Sequence, residues 1–309
     1  MAADRSPRAP TTVIVPTTAE AARAATLERA LRSILADQDP PGIPLVVVNG
    51  NAADLRVLAE LRCRRDIRLL EMNPGSFPAA LNLGRRQVDT PSFCFLDDDD
   101  LYYPGALRER AVAFERTPEV DVFITQGLRQ LDGQHLLIPD PAQFDPRDLF
   151  TSLCRANWLP SCGGFYRTAA IGEEFFDPNV HHLEWTYVAF RLVRERSVAL
   201  LTSAHPHYLV SDTLASASKS DAYLLGGPPV YERMLAYDLE PWERRLLLRR
   251  FSATLHQTSE VRMNRGEMRQ AWRDHLRSLS LPGGLRYLAY SRHLVAATAR
   301  KLFRRSGEP

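Results

Sequence analysis

Over the first two thirds of the chain, short apolar runs alternate with longer stretches of helical periodicity. Thr12-Val13-Ile14-Val15 reads as a buried strand that stops at Pro16. Leu27, Leu31, Ile34 and Leu35 then recur at helical spacing until Pro40-Pro41-Gly42 breaks the segment, and Leu45-Val46-Val47-Val48 follows as a second strand. The unit repeats. Leu55, Leu58 and Leu61 mark a helix before Ile67-Arg68-Leu69-Leu70, and Ala80, Leu83 and Val88 mark another before Phe93-Cys94-Phe95-Leu96. Apolar strands separated by helices of ten to fifteen residues indicate βα units on a mostly parallel sheet covered on both faces.

The alternation loosens further on. Residues 107–114 predict a helix and Val122-Phe123-Ile124 a strand; Cys162-Gly163-Gly164-Phe165-Tyr166 predicts a strand that something approaches closely, because paired glycines in an extended run mark a bulge or an intimate backbone contact. A helix at 184–194 and strands at 198–201 and 208–210 complete the α/β pattern. From about residue 228 the chain reads as wholly helical and arginine-rich, interrupted by Leu281-Pro282-Gly283-Gly284. The expected organisation is a loose start at 1–10, an α/β domain at 11–227 and a helical region at 228–309.

Composition narrows the class. With 45% hydrophobic and 25% charged residues the chain is ordinary globular material, and no run approaches the roughly 18 apolar residues of a membrane span. The first dozen residues lack the apolar centre of a secretory signal, so a cytoplasmic protein is expected. Cys63, Cys94, Cys154 and Cys162 form no C-x-x-C pair and are read as reduced and mostly buried. Charge is uneven: residues 241–309 hold 15 Lys or Arg against 5 Asp or Glu, although the whole chain is only +2. Lys219 and Lys301 are the only lysines, which argues against Schiff-base or P-loop chemistry in the main domain.

Asp97, Asp98, Asp99 and Asp100 follow a buried strand directly. Close carboxylates repel one another by roughly a kcal/mol per pair even in water, so something cationic should compensate. In open α/β sheets ligands bind beyond the carboxyl ends of strands, which is where this run falls. Alternate carboxylates can divide the labour, one reaching a ligand hydroxyl while another holds a hard divalent ion, Mn2+ or Mg2+, that bridges diphosphate oxygens.

The ordered set Val13-Ile14-Val15-Pro16-Thr17, Leu31-Arg32-Ser33-Ile34-Leu35-Ala36-Asp37-Gln38, Asn73-Pro74-Gly75 with Ala80-Leu81-Asn82-Leu83-Gly84, and Phe95-Leu96-Asp97-Asp98-Asp99-Asp100 with Pro104 resembles the family-two glycosyltransferases, over roughly residues 11–215. The resemblance implies a GT-A, Rossmann-like fold with helices on both faces of a mostly parallel sheet and a helical C-terminal extension. It implies inverting transfer from a nucleoside-diphosphate sugar, UDP or dTDP as nucleotide, to a hydroxyl of a glycan, glycolipid or secondary metabolite. By it, Pro16 and Thr17 line the nucleotide pocket, Asp97 and Asp98 face the donor, Asp99 carries the metal with Asp100 in support, and Gly163 and Gly164 let the donor sugar lie against backbone. Trp158 and Trp185 become walls for the acceptor, and Arg167 faces the diphosphate. Where the family has paired aspartates after the second strand this chain reads Val48-Asn49-Gly50-Asn51, ahead of a matching Asp54. Asn49 can still meet a base through its amide, which both donates and accepts, and the base stays open. The family's late metal-binding histidine falls where this chain has Tyr208-Leu209-Val210-Ser211-Asp212, so His207 or Asp212 is the substitute. An inverting transfer needs a base for the acceptor proton, and His182-Leu183-Glu184-Trp185 stands at the family's acidic motif, which makes Glu184 that base.

Residues 285–305 set Leu285, Leu288, Leu294, Val295, Leu302 and Phe303 among Arg286, Arg292, Arg300, Lys301, Arg304 and Arg305, a basic amphipathic pattern that can rest on an anionic membrane at its inner face, or pack on protein, a second copy in a homodimer included. Nucleic-acid binding is not expected, since no zinc, RNA-recognition or homeodomain pattern is present. Three rivals stay open: a nucleotidyltransferase, a catalytically silent nucleotide-sugar-binding protein, and an interaction protein acting through its tail.

Overall fold

The computed structural model describes residues 8–131, 133–211 and 220–305, the last four by backbone alone. It divides into two compact units, Met1–Thr213 and Leu214–Pro309.

In the first unit a seven-stranded sheet is built on β1 (Thr11–Thr17), β2 (Gly42–Asn49), β3 (Arg68–Met72), β4 (Ser92–Phe95), β6 (Val122–Thr125), β9 (Gly164–Arg167) and β10 (Val198–Leu201), in the order β10-β6-β9-β4-β1-β2-β3. All neighbours are parallel except β9, which runs antiparallel between β4 and β6. The connecting helices are α1 (Ala24–Leu35), α2 (Leu55–Cys63), α3 (Phe77–Arg86), α4 (Ala106–Arg116), α5 (Leu149–Arg155) and α6 (Glu184–Glu195). A four-stranded sheet joins β5 (Leu101–Tyr102), β11 (Tyr208–Ser211), β7 (Gly127–Leu131) and β8 (Gln134–Ile138).

β1 is buried at all seven positions, as a central parallel strand must be. It does not stop at Pro16. Ile14 gives its carbonyl to Leu96 N on the β4 side, so Pro16, two residues on, faces the same side, where β4 has already given way to the aspartates. The missing proline N–H falls where the β1–β4 ladder ends, and β1 continues to Thr17 by its pairing with β2. Leu27, Ala30, Leu31 and Ile34 form the buried stripe of α1 and join Val13, Val15, Val46, Val48 and Leu107 in one core. Asp54 caps α2 through the N–H groups of Arg56 and Val57, and Ser76 caps α3.

The second unit contains α7 (Asp221–Leu235), α8 (Pro241–Asn264), α9 (Met268–Leu279), a 3-10 segment Gly284–Tyr290 and α10 (Ser291–Arg305). α7 passes through Gly226, Gly227, Pro228 and Pro229, the stretch where the sequence pattern suggests a change of unit. The apolar stripe of the tail is divided. Leu294 is fully buried against Met268 and Ala271, and Trp272 Nε1 donates to Thr298 Oγ1 at 3.0 Å, while Leu285, Leu288 and Val295 stay exposed. Among the described residues no helix is long and apolar enough to cross a membrane.

Candidate active site

β4 delivers the four aspartates to the C-terminal edge of the sheet beside the end of β1, and the run alternates. Asp98 and Asp100 turn inward and are buried, while Asp97 and Asp99 are half-buried. Asp98 accepts from Thr17 Oγ1 at 2.6 Å and pairs with Arg23, which stands in the turn before α1 and also comes to 3.9 Å from Asp99. Asp100 accepts from Ser211 N at 2.8 Å and from Cys162 Sγ at 3.6 Å, so it fastens β11 to the run. Asp97 accepts from Ser161 Oγ at 2.8 Å through one oxygen; its other oxygen, Oδ1, is sealed from solvent and has no partner among the described residues. Arg29 donates to the Asp99 carbonyl at 3.0 Å.

Among the described residues Arg23 is the cation that pairs with these carboxylates, and Arg29 reaches only the backbone of the run. Burial pushes the Asp97 carboxyl up to about 7, with the Ser161 hydrogen bond opposing and the charges of Asp99 and Asp98 adding to the rise. Burial raises Asp100 well above the ordinary range, again with help from Asp97, and raises Asp98 against the pull of Thr17 and Arg23. Burial thus disfavours the charged form of three of the four carboxyls.

Glu184 opens α6, and its Oε1 accepts from His182 N at 2.8 Å. The two residues before it, His182 and Leu183, have φ of 66° and 52°. Neighbouring left-handed non-glycine residues are strained, and such strain gathers where a fold holds a side chain in one geometry. Trp185 meets Phe95 edge to face with ring centroids 5.1 Å apart, which ties the start of α6 to the strand that carries the aspartates. It is only half-buried.

Asn49 ends β2, and its Oδ1 accepts from Ser76 N at 2.6 Å, so its acceptor is committed to the turn before α3 and its amide N–H2 is the end to offer a ligand. Other expected residues sit elsewhere. Trp158 is 2% exposed and donates to the Leu149 carbonyl, so it is core and no acceptor wall. Arg167 pairs with Ser92 at the far end of β4 from the aspartates, where its guanidinium lies over Phe114 and donates to the Val120 carbonyl; it does not face a diphosphate. Gly164 is kept free of a side chain by Tyr166, whose ring and hydroxyl fill the space a Cβ needs, and Gly163 by Pro160 at 2.8 Å. The close approach predicted there is the chain's own. Both ring nitrogens of His207 are engaged, Nδ1 by Arg110 at 3.3 Å and Nε2 by Glu109 at 3.0 Å, so it is no spare metal ligand, and Asp212 lies outside the described residues. Among the described residues no three His, Cys, Asp or Glu side chains group as metal ligands.

Arg23, Ser161 and Ser211 complete the site and were not singled out from sequence. Arg23 is one arginine among many, and Ser161 and Ser211 reach the aspartates only through tertiary pairing.

The profile of glycosyl transferase family 2 matches residues 12–174. Among solved structures the chain is similar to S. aureus TarS in complex with UDP-GlcNAc, at 16% identity and a TM-score of 0.59, covering 96% of this chain and 92% of that one. It is also similar to the mannosyltransferase PcManGT from Pyrobaculum calidifontis in complex with GDP-Man and Mn2+, at 15% identity and a TM-score of 0.53, covering 97% and 90%. No curated protein matches the chain. The profile takes in more than half of the sequence and includes the whole run from β1 through the aspartates, and on that evidence this chain belongs to glycosyl transferase family 2 and is a glycosyltransferase.

Proposed function

We propose that the chain moves a sugar from a nucleoside diphosphate, UDP or dTDP, to a hydroxyl of a glycan, glycolipid or secondary metabolite with inversion at the anomeric carbon. The observation that carries the reading is the run of four aspartates at the carboxyl end of β4, whose carboxylates pair among the described residues with Arg23 and which contains a sealed Asp97 Oδ1 with no described partner. The nucleotide sugars in the two similar structures support it.

Pro16 and Thr17 would border the nucleotide, with the Asn49 amide donating to a carbonyl of the base and Asp97 turned toward the ribose. The donor set suits a hard cation: the Asp99 carboxylate is part-exposed, and among the described residues its ion pair is the long one to Arg23, at 3.9 Å. Mn2+ or Mg2+ would be held by Asp99 together with donor phosphate oxygens, with Asp100 supporting the turn behind it. When bound, that ion supplies positive charge to the departing diphosphate. Glu184, oriented by the His182 N–H, takes the proton from the acceptor hydroxyl as its oxygen bonds to the anomeric carbon. The anomeric carbon–oxygen bond breaks on the opposite face, and the nucleoside diphosphate leaves with the electron pair. Trp185 would floor the acceptor. We read the helical second unit as the part that rests on an anionic membrane from the cytoplasmic side.

Turnover of a panel of UDP-, dTDP- and GDP-sugars with Mn2+ tests this, read as release of nucleoside diphosphate. Glu184→Gln should lower turnover by roughly 10²–10⁴ while leaving donor affinity within a few-fold. A variant as fast as wild type would remove Glu184 as base, and a chain that binds donor without turnover would be a silent binding protein.

A further inference from the structure

The turn Leu281-Pro282-Gly283-Gly284 has no part in the chemistry above, yet it is tightly built. Gly283 has φ of 77°, and a Cβ there would lie 3.2 Å from both Cγ and Nε of Arg249; a Cβ at Gly284 would collide with the Ser278 carbonyl. The glycines let the Arg249 stem lie directly across the backbone. Beside that contact is a cleft of about 360 Å3 lined by Trp242, Arg245, Leu246, Arg249, Pro282 and Gly283.

Trp242, Arg245 and Arg249 fall on one face of α8 at i, i+3 and i+7 spacing. Both arginines are exposed, and among the described residues neither forms an ion pair or a side-chain hydrogen bond. The nearby acids at the start of α8 are engaged: Glu240 and Glu243 form a capping box with the helix backbone. Two cations a turn apart, one held against a glycine, present the donor-rich forks that phosphate oxygens match. Trp242 is 51% exposed at the rim, the place of an indole at a polar–apolar boundary. The residues that follow the turn extend the apolar side, Leu285 at 74% exposure and Leu288 at 57%.

We infer that this cleft seats the phosphate of an anionic phospholipid, with Arg245 and Arg249 on the phosphate oxygens, Trp242 at the interface, and Leu285 and Leu288 against the acyl region. The inference rests on the reading of the second unit as membrane-facing and relocates the contact. Leu294 packs against Met268 and Ala271 and is taken out of the apolar stripe, so the contact is assigned to the α8 face and the turn.

The test uses the full chain with vesicles of phosphatidylglycerol and phosphatidylcholine, or phosphatidylcholine alone, reading co-sedimentation and tryptophan emission. Wild type should bind the anionic vesicles with a blue shift that Trp242→Phe removes. Arg245→Gln with Arg249→Gln should weaken binding by roughly 30-fold, as expected for two arginines at an anionic surface. A control pair of the same charge on α9, Arg269→Gln with Arg273→Gln, should stay within about threefold by comparison. All these positions are exposed, and unchanged thermal unfolding checks that the variants fold. An equal loss in the control pair would mean general basicity and overturn the cleft while keeping the membrane. Displacement from the vesicles by millimolar inorganic phosphate would make the ligand a soluble phosphate and overturn the lipid assignment. No binding of wild type to anionic vesicles would overturn both readings.

Discussion

His207 is held between an arginine and a glutamate, Arg110 at Nδ1 and Glu109 at Nε2. Burial and then the Arg110 charge push its pKa down to about 4, with Glu109 only partly opposing. The folded chain therefore keeps His207 neutral at a pH where the unfolded chain protonates it. Stability from this group is fully present above about 6.5 and is lost as the pH falls toward 4, by on the order of 3 kcal/mol across that window. His207→Gln should flatten the fall of Tm between pH 6.5 and 4 relative to wild type, and parallel curves would contradict the assignment. The same residue shows what sequence can and cannot give. The late position of His207 is legible, but its ring nitrogens are claimed by Arg110 and Glu109, nearly a hundred residues earlier, and no local pattern announces that pairing. Arg23 is the reverse case: the charge of the aspartates demands a cation, and nothing local says which arginine supplies it.

At the scale of elements, the strands with continuous apolar runs were legible because burial on both faces leaves no polar alternation to confuse them; β1, β2 and β4 follow directly from Thr12-Val13-Ile14-Val15, Leu45-Val46-Val47-Val48 and Phe93-Cys94-Phe95. Of the four-stranded sheet only β11 was read, at 208–210. β5 is two residues long, and the hairpin β7–β8 mixes Leu with Arg, Gln and His because its residues are mostly exposed, although Asp132-Gly133 between them is a hairpin dipeptide. The paired glycines announced a close approach but not its cause. Tyr166, two residues on and on the same face, occupies the space above Gly164. Gly164→Ala should therefore destabilise the protein by about 1–3 kcal/mol, the usual result of overpacking. Among the described residues the Tyr166 hydroxyl has no hydrogen-bond partner, so Tyr166→Phe alone should be tolerated, and combining the two should recover part of the loss. Wild-type Tm for Gly164→Ala would show that the strand yields instead.

At the scale of the molecule, charge separates the two units. The basic surplus lies in the second, and the first places its run of four aspartates at one sheet edge. The motif order from β1 to the aspartates was enough to read the family: Val13–Thr17, Asn73–Gly75 and Phe95–Asp100 lie at or just beyond the ends of β1, β3 and β4, while Leu31–Gln38 and Ala80–Gly84 belong to α1 and α3, which cover that sheet. Thr17 meets the aspartate run through its hydrogen bond to Asp98, and the Trp185–Phe95 contact ties the start of α6 to β4. Trp158 and Arg167 do not join, because an aromatic and an arginine serve the core equally well. The account stands on Asp99 as the carboxylate that draws cation and donor diphosphate together. Calorimetric titration of wild type and Asp99→Ala with the nucleotide sugar that the panel selects, with Mn2+ and with chelator, measures that claim directly. Chelation and the substitution should each weaken donor binding by roughly 100-fold and should not add when combined. Donor affinity unchanged by either would contradict the account.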